Sequence, residues 1–304
     1  MTNNKKIAVV TGGAGFIGSH VAATLIDEGF EVSVVDNLSG GKRERVPAGA
    51  KFFEQDINET AALTKIMAGA KFVFHLAALP RVQFSIENPI ETNLANVDGT
   101  VSVLKAAQDA GVSRVVFSAS SSAYGDQDVM PLVEDMPVKP KSPYALHKYV
   151  GELYCRLWSE IYGLSTVSLR YFNVYGPGAE PGGSYPLVIA KFLKQRADGM
   201  PMTITGDGSQ TRDFTHVRDV VRANILAAHS PNVGKGEVIN IGVGSNISVS
   251  RVAELIDGPV EHIAPRLEPH DTLADNARAR ELLGWTPSVS FEDGIAELKK
   301  IFGV

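Results

Sequence analysis

The most constraining feature of the chain is a glycine-rich turn that joins a strand pattern to a helix pattern. The apolar run Ile7–Val10 leads into Thr11-Gly-Gly-Ala-Gly-Phe-Ile-Gly18, and a helical pattern follows. Glycines at positions 12, 15 and 18 permit a tight turn, the close approach of a pyrophosphate and the close packing of helix on strand. The start of the helix adds free N–H groups and a partial positive charge. The predicted contacts with dinucleotide phosphates are Gly12, Gly15, Phe16, Ile17 and Gly18.

An acidic residue ends the next predicted strand. Asp36 follows Gly18 by 18 positions. A carboxylate at this point can bind the hydroxyls of an adenosine ribose and would repel a 2′-phosphate, which favours NAD over NADP. The alternative interpretation is a glycine-rich surface turn beside an ordinary strand end. The position of the turn between strand and helix favours the dinucleotide, and we place Asp36 and its neighbour Asn37 at the cofactor.

Strand and helix patterns alternate through the first half of the chain. Strands are predicted at Glu31–Val35, Phe72–Leu76 and Arg114–Phe117, and helices at Gly18–Glu28 and Ile90–Ala110. This alternation predicts an α/β fold with a Rossmann-type, doubly wound parallel sheet.

The texture of the sequence changes after about Tyr175, where glycine and proline become scattered and the alternation less regular. We predict a cofactor-binding domain over residues 1–174, which a return segment around 213–240 rejoins. A smaller, partly interleaved substrate domain is predicted over residues 175–304.

Two short segments follow predicted strands at the edge where such sheets bind ligands. Asp56-Ile57 places a carboxylate within reach of an adenine amino group, and Leu76-Ala-Ala78 lets the backbone pass close to a ring or ribose. Each alone is an ordinary strand end, but their shared edge makes them candidate cofactor contacts. The residues assigned on this ground are Asp56, Ile57, Leu76, Ala77 and Ala78.

A tyrosine and a lysine four positions apart stand in a predicted helix, downstream of a serine-rich strand end at Ser118–Gly125. Tyr144 and Lys148 project from one face of that helix. An ammonium and a nicotinamide cation would both stabilise a phenolate and lower the pKa of Tyr144 from about 10. A serine at the strand end can bind the same alcohol. The alternative is an aromatic core residue beside an exposed lysine, a pattern that is common by chance.

Charge and composition exclude other classes of protein. The net charge is −5 at pH 7, which argues against general binding to nucleic acid or to an anionic membrane. No apolar run reaches the ~20 residues of a membrane span, and the first residues lack the apolar region of a signal peptide. A single cysteine, Cys155, favours a cytoplasmic location. The seven histidines show no metal-ligand spacing, so no metal is expected.

Taken together, these motifs resemble the extended short-chain dehydrogenase/reductase family of nucleotide-sugar enzymes. The resemblance covers nearly the whole chain. It rests on the glycines of Thr11–Gly18, Asp36, Leu76-Ala-Ala78, Ser118–Gly125, Tyr144 with Lys148, Arg170-Tyr-Phe-Asn-Val-Tyr-Gly-Pro177, Gly206–Phe214, Leu273-Ala-Asp275 and Leu283-Gly-Trp285.

The resemblance implies roles for individual residues. Tyr144 would be the acid–base residue, Lys148 its electrostatic partner and a ribose ligand, and Ser120 the hydroxyl that orients the sugar. Tyr171 would contact the cofactor. Asn173, Arg212 and Arg266 would bind the sugar diphosphate, since a dianionic group needs cationic partners. Without the resemblance, Arg212 would be interpreted as a surface ion-pair residue.

The residues after Ser120 distinguish the subclasses of this family. Nucleotide-sugar 4,6-dehydratases carry an Asp-Glu pair there, whereas this chain has Ser121 and Ser122. Two serines are poor replacements for carboxylates that move protons at C5 and C6, so dehydration is disfavoured and epimerisation is favoured. Ser121 and Ser122 are assigned to substrate binding. The resemblance is strongest to UDP-glucose and UDP-N-acetylglucosamine 4-epimerases. It implies transient oxidation of a UDP-sugar at C4, with NAD restored at the end of each turnover.

Two alternatives stay open at this point. One is another nucleotide-sugar reaction on the same scaffold, such as 4-epimerisation of UDP-glucuronate. The other is a non-catalytic, NAD-binding regulatory protein, which would be free to lose Ser120, Tyr144 and Lys148. The helices around Ile90–Ala110 and Pro143–Tyr162 resemble those that form a four-helix interface in this family, which implies a homodimer.

Overall fold

The structure, a computed structural model, describes residues 6–182, 187–264 and 271–304. Thirteen strands and eleven α-helices lie within these ranges. In chain order they are β1 (Ile7–Thr11), α1 (Phe16–Asp27), β2 (Glu31–Asp36), β3 (Lys51–Glu54), α2 (Thr60–Ile66), β4 (Ala70–His75), α3 (Val82–Glu87), α4 (Pro89–Asn93), α5 (Gly99–Asp109), β5 (Arg114–Ser120), α6 (Pro143–Tyr162), β6 (Ser165–Tyr171), β7 (Val174–Tyr175), α7 (Val188–Ala197), β8 (Met202–Thr205), β9 (Thr211–Arg212), β10 (Thr215–His216), α8 (Val217–His229), β11 (Lys235–Ile241), β12 (Ile247–Ser248), α9 (Val249–Ile256), β13 (Val260–Ile263), α10 (Ala277–Leu283) and α11 (Phe291–Phe302).

Seven strands form one parallel sheet in the order β11-β6-β5-β4-β1-β2-β3. The order reverses direction between β1 and β4, which is the point where a doubly wound sheet opens a crevice for a ligand. This architecture confirms the predicted Rossmann-type fold. The central strands are nearly continuous apolar runs because both faces of the sheet are covered by helices.

Two apolar layers lie on the two faces of the sheet. Helices α1 and α8 pack on one face, around Val21, Leu25 and Val220. Helices α2, α5 and α6 pack on the other, around Leu63 and Leu104. The edge strand β11 follows α8 and extends the sheet beyond β6, so the stretch from α8 to β11, residues 217–241, returns to the sheet of the first half.

The remaining part of the second half forms a smaller core. Helices α7, α9 and α11 surround Phe192, Met202 and Val252, and the short parallel pair of β8 with β13 lies beside them. Across the described ranges, every helix is too short or too polar to cross a membrane.

Sequence patterns missed one irregularity that matters for the site. The predicted helix Ile90–Ala110 consists of α4, a π-helical turn at Leu94–Asp98, and α5. A π-turn interrupts the regular i to i−4 hydrogen bonds and often occurs at functional sites. Here it aims Asn96 at the loop that follows β4.

Candidate active site

The glycine turn between β1 and α1 has no room for side chains. Gly12 has a φ of +73°, and a Cβ built on it would lie 2.5 Å from the backbone nitrogen of Ala77. A Cβ on Gly18 would lie 2.1 Å from the carbonyl oxygen of Gly12. The turn is therefore a cradle of bare backbone, as a pyrophosphate requires. Phe16 and Ile17 begin α1, and the N–H groups of a first helical turn have no partner within the helix.

Asp36 connects the glycine turn to the loop that follows β2. Its buried carboxylate accepts hydrogen bonds from the N–H of Ala14 at 3.0 Å and from the N–H of Leu38 at 2.8 Å. Leu38 has a φ of +60°, which is uncommon for a residue other than glycine and is found at functional sites. The carboxylate is thus fixed at the carboxyl end of β2, where the sequence places a ribose.

Asp56 and Asn37 lie side by side beyond β2 and β3. The Nδ2 of Asn37 donates to Asp56 at 3.0 Å, and the N–H of Asn58 donates to the other carboxylate oxygen at 2.8 Å. Burial raises the pKa of Asp56, but the hydrogen bonds from Asn58 and Asn37 outweigh it and leave the pKa lowered. The side chain of Ile57 is buried in the core. A cofactor contact at this position would use the backbone.

The loop after β4 is held from two sides. Thr11 Oγ1 contacts His75 Nδ1 at 2.8 Å and accepts a hydrogen bond from the N–H of Ala77 at 3.5 Å. Asn96 accepts from the N–H of Leu79 at 2.7 Å and donates to its carbonyl at 3.1 Å. Residues Leu76–Ala78 are therefore presented as a fixed edge beside the glycine turn. Sequence reasoning missed Asn96, because a buried asparagine in a helical pattern carries no distinctive signal.

Two serine hydroxyls and a proline ring fix the start of α6. Ser142 accepts a hydrogen bond from the N–H of Ala145 at 3.1 Å, and Pro143 occupies the first turn. Ser85, on α3, accepts from the N–H of Tyr144 at 3.0 Å. These contacts place Tyr144 in the first turn of the helix and Lys148 one turn later, facing the end of β5.

The serine-rich end of β5 meets Tyr144. A hydrogen bond joins the Tyr144 phenol to Ser120. Ser122 donates its hydroxyl to Ser120 Oγ at 2.8 Å, and the N–H of Ser122 also donates to that oxygen at 3.2 Å. Ser120 is thus oriented by its neighbour and shared with the phenol. The structure brings Ser120, Ser122 and Tyr144 together.

The charge state of Tyr144 differs from the sequence expectation. Burial raises the pKa of Tyr144 to about 12, while the hydrogen bond to Ser120 acts in the opposite direction. In the protein alone the phenol is therefore protonated at neutral pH. The expected lowering of its pKa needs the second cation, which the cofactor would provide.

Lys148 is a buried cation at the centre of the site. Its Nζ donates to the carbonyl of Ser118 at 2.7 Å and lies 5.0 Å from the centre of the Phe117 ring. Burial lowers the pKa of Lys148 to about 8, and Glu152, one helical turn further, acts to raise it. The ammonium is thus charged at neutral pH. Burial and the charge of Lys148 lower the pKa of His75 to about 3, so that imidazole stays neutral.

Residues predicted to bind a sugar diphosphate lie where the two halves of the chain meet. Asn173, at a φ of +28°, donates from Nδ2 to the carbonyl of Asp213 at 3.2 Å and to Thr272 Oγ1 at 3.1 Å. Arg212, on β9, donates to the carbonyl of Thr211 at 2.9 Å. The predicted ligand Arg266 lies outside the described residues.

Tyr171 ends β6 inside the core. Its hydroxyl donates to Asn224 of α8 at 2.9 Å, and burial raises its pKa. The phenol is thus used to join β6 to α8, and its predicted contact with the cofactor stays a prediction. Within the three described ranges, no group of three His, Cys, Asp or Glu side chains is placed to hold a metal ion.

Comparison with known proteins places the chain in a protein family. The model of the NAD dependent epimerase/dehydratase family matches residues 8–242. The UDP-glucose 4-epimerase of Mycolicibacterium smegmatis is 38% identical over 309 residues, which cover 97% of each chain.

Two solved structures are similar over almost their full length. The UDP-glucose 4-epimerase of Thermotoga maritima, solved with UDP-glucose, is 38% identical, with a TM-score of 0.93 and 98% of each chain covered. The UDP-N-acetylglucosamine 4-epimerase of Methanobrevibacter ruminantium M1, solved with UDP-N-acetylmuramic acid, is 37% identical, with the same TM-score and coverage.

Proposed function

This chain belongs to the NAD dependent epimerase/dehydratase family, and we propose that it is a UDP-hexose 4-epimerase that keeps and recycles one NAD. The observation that carries this assignment is the assembly of Ser120, Tyr144 and Lys148 at the sheet edge that holds the glycine turn. The alternative of a regulatory protein has no need of this assembly. A family member that acts on an alcohol needs all three groups.

The cofactor fits the residues that are present. The bare cradle formed by Gly12 and Gly18 would hold the pyrophosphate, and Asp36 would bind the adenosine ribose. Bound NAD supplies a hydride acceptor, and later a hydride donor, for C4 of the hexose. Its nicotinamide cation would also lower the pKa of Tyr144, because an opposite charge nearby favours the phenolate.

The protein's own groups move the proton. Tyr144, as phenolate, accepts the proton of the sugar 4-hydroxyl and returns it to the same oxygen at the end of turnover, once C4 has been reduced on its opposite face. The ammonium of Lys148 stabilises the phenolate in between. Ser120, oriented by Ser122, hydrogen-bonds the same oxygen and fixes its distance from the phenol. After the bound 4-keto sugar has rotated, it presents its other face, and Tyr144 and Ser120 can contact the same oxygen again.

The serines after Ser120 favour epimerisation over dehydration. Ser121 and Ser122 stand where dehydratases of the family carry carboxylates, and the hydroxyl of Ser122 is committed to Ser120 at 2.8 Å. A neutral hydroxyl in that role cannot accept the proton that leaves C5 at neutral pH. The site thus has the groups that proton transfer at the C4 hydroxyl needs, but it lacks the carboxylates that dehydration would need at C5 and C6.

The substrate would be held by its diphosphate. Arg212, with Arg266 beyond the described residues, supplies the cationic groups, and Asn173 adds an amide. A site that binds the UDP moiety firmly leaves the hexose free to rotate, while the keto intermediate stays bound through its UDP. Plain and N-acetylated hexoses are both candidate substrates.

The test is epimerisation without added cofactor. Purified protein is incubated with UDP-glucose and, separately, with UDP-N-acetylglucosamine, and the C4 proton is followed by NMR. We expect the axial product from at least one of them, and the ratio of rates identifies the preferred sugar. If neither reacts even with NAD supplied, the assignment is wrong, and UDP-glucuronate is the next substrate to test.

A cytoplasmic location is consistent with this function. The only cysteine, Cys155, is buried, so the fold does not depend on an oxidising compartment.

We also propose that two copies pair through α3, α4 and α6. Apolar side chains at four-residue spacing line α3, α4 and the start of the π-helical turn, and a second apolar row runs along α6. The exposed members are Ile86, Ile90, Leu94, Leu146, Leu153, Leu157 and Ile161. Helix α6 contacts α3 and α4, so the two rows form one continuous face. Contiguous apolar surface of this kind marks an interface, and a two-fold axis would join two helix pairs into a four-helix bundle.

Charge placed on this face should separate the copies. We expect wild-type protein to have about twice the chain mass of 32.5 kDa by light scattering, and Leu153→Glu with Leu157→Glu to have the mass of one chain. Burying two carboxylates against a like pair is strongly unfavourable. Ile301→Glu, an equally apolar and exposed position on α11, is the matched control and should leave the mass unchanged. A monomeric wild type would refute the proposal.

A further inference from the structure

A loop from the second half of the chain lies across the start of α1. We call residues 176–182 the strap. His20 Nε2 donates to the carbonyl of Pro177 at 2.8 Å. A Cβ built on Gly178 would lie 3.7 Å from both the His20 ring and the Phe16 ring. The strap thus lies against the first two turns of α1, and the N–H groups of the first turn are those proposed to bind the cofactor phosphates.

A second loop approaches the same place from the other side. Residues 37–46 follow Asp36, and we call them the ribose loop. The N–H of Lys42 donates to the carbonyl of Ala14, within the glycine turn, at 2.9 Å. Arg43 lies 3.8 Å from the centre of the Phe52 ring on β3. The ribose loop is therefore fixed to the glycine turn at one point and to the sheet at another.

The strap and the ribose loop are joined by an ionic bridge. Glu180 forms ion pairs with Lys42 at 2.9 Å and with Arg45. Arg45 also donates to the carbonyl of Gly178 at 2.8 Å. The hydrogen bond from Lys42 and the charge of Arg45 lower the pKa of Glu180, so the bridge is intact at neutral pH. Four polar contacts thus join segments that lie 133 or more positions apart in the sequence.

From these contacts we infer that the Lys42–Glu180–Arg45 bridge retains the bound dinucleotide. The strap and the ribose loop together enclose the glycine turn on its outer side. A nucleotide lying on that turn, with its ribose at Asp36, has the bridge between its adenosine half and solvent. NAD then leaves only when the bridge opens. This inference rests on the proposed function, because an epimerase that returns its cofactor to the starting state gains from never releasing it.

The test is the rate at which NAD leaves the protein. Protein loaded with NAD radiolabelled in the adenine is mixed with excess unlabelled NAD, and bound label is followed by filtration. We expect Glu180→Gln to release NAD about tenfold faster than wild type, since two partly exposed ion pairs are lost. High salt, about 1 M, screens such pairs and should bring the wild-type rate towards that of the variant. Glu254→Gln, which removes a surface ion pair with Arg251 on α9, is the matched control and should release NAD at the wild-type rate.

A double-variant cycle separates the bridge from a general loosening of the fold. Lys42→Met alone should also speed release, and Lys42→Met with Glu180→Gln should be no faster than Glu180→Gln alone to within about twofold, because the ammonium of Lys42 joins the bridge through Glu180. Unchanged release from Glu180→Gln, or effects that multiply fully in the double variant, would overturn the inference.

The assay measures nucleotide binding and not catalytic turnover, so it tests the bridge separately from the proposed function. A protein that binds NAD and shows the bridge effect but epimerises no sugar would refute the proposed function alone. An active wild type whose NAD leaves equally fast from Glu180→Gln would refute the bridge alone.

Discussion

Replacing Tyr144 with phenylalanine should reduce kcat by about 10³-fold while leaving NAD bound. The change removes one oxygen from a side chain at the start of α6, and the ring can keep its place beside Ser120. General acid–base catalysis by a positioned group contributes about 10²–10⁴ in rate, and a 10³-fold loss corresponds to about 4 kcal/mol of barrier. The measurement is the initial rate of UDP-hexose epimerisation, with bound NAD determined in the same sample.

The matched control for this variant is Tyr149→Phe. Tyr149 lies on the same helix, little more than one turn further along, and loss of its hydroxyl should change kcat by less than about threefold. A Tyr144→Phe protein with unimpaired turnover would show that another group handles the proton. A Tyr144→Phe protein without NAD would show that the phenol supports the cofactor more than the chemistry.

The parts of this site that the sequence predicted are those fixed by neighbouring residues in the chain. The glycine turn could be predicted because three glycines at this spacing stand between a strand and a helix. The spacing is the one required for a tight turn, close approach of a pyrophosphate and close packing of helix on strand. The pairing of Tyr144 with Lys148 follows from the pitch of a helix. The serine-rich strand end predicted a serine at the ligand-binding edge of the sheet, and the family resemblance singled out Ser120. The parallel, doubly wound sheet followed from the alternation of strands with helices.

Contacts between distant segments could not be predicted in the same way. Asn96 reaches Leu79 only because a π-turn redirects the helix around Leu94–Asp98, and nothing in the composition of that segment signals the turn. Glu180 is an ordinary acidic residue in a proline- and glycine-rich loop until the fold brings Arg45 to it across 135 positions. Such contacts depend on how the two halves of the chain meet.

The direction of the pKa change at Tyr144 could not be predicted from the sequence, for a different reason. The sequence identifies the cations that would lower its pKa, but the sign of the change depends on burial as well. In the protein alone burial prevails, and the pKa of Tyr144 is raised to about 12. The buried ammonium of Lys148 is directed to the carbonyl of Ser118. On the proposed function, binding of NAD would lower the pKa of Tyr144 and activate it as a base.

Gly18→Ala should abolish NAD binding at concentrations where wild type is saturated, a loss of affinity of at least about 100-fold. Alanine is the better helix former by about 1 kcal/mol, so the helix alone would gain stability. The added Cβ, however, would lie 2.1 Å from the carbonyl oxygen of Gly12 and 3.0 Å from the Cα of Gly13. These are backbone atoms that cannot rotate away, so α1 must shift and open the turn that cradles the phosphates. Overpacking of this kind costs about 1–3 kcal/mol, which exceeds the gain in helix propensity.

The comparison that isolates this effect is Gly40→Ala, in the ribose loop. A Cβ built on Gly40 meets nothing within 4 Å, so this variant should bind NAD as wild type does while making the same chemical change. Binding is measured by equilibrium dialysis with labelled NAD, and circular dichroism on the same samples reports whether the fold persists. A folded Gly18→Ala protein with wild-type affinity would mean that the dinucleotide does not lie on this turn. A folded protein that has lost NAD, beside an unaffected Gly40→Ala, ties the position of the cofactor to the turn where β1 and α1 leave no room for a side chain.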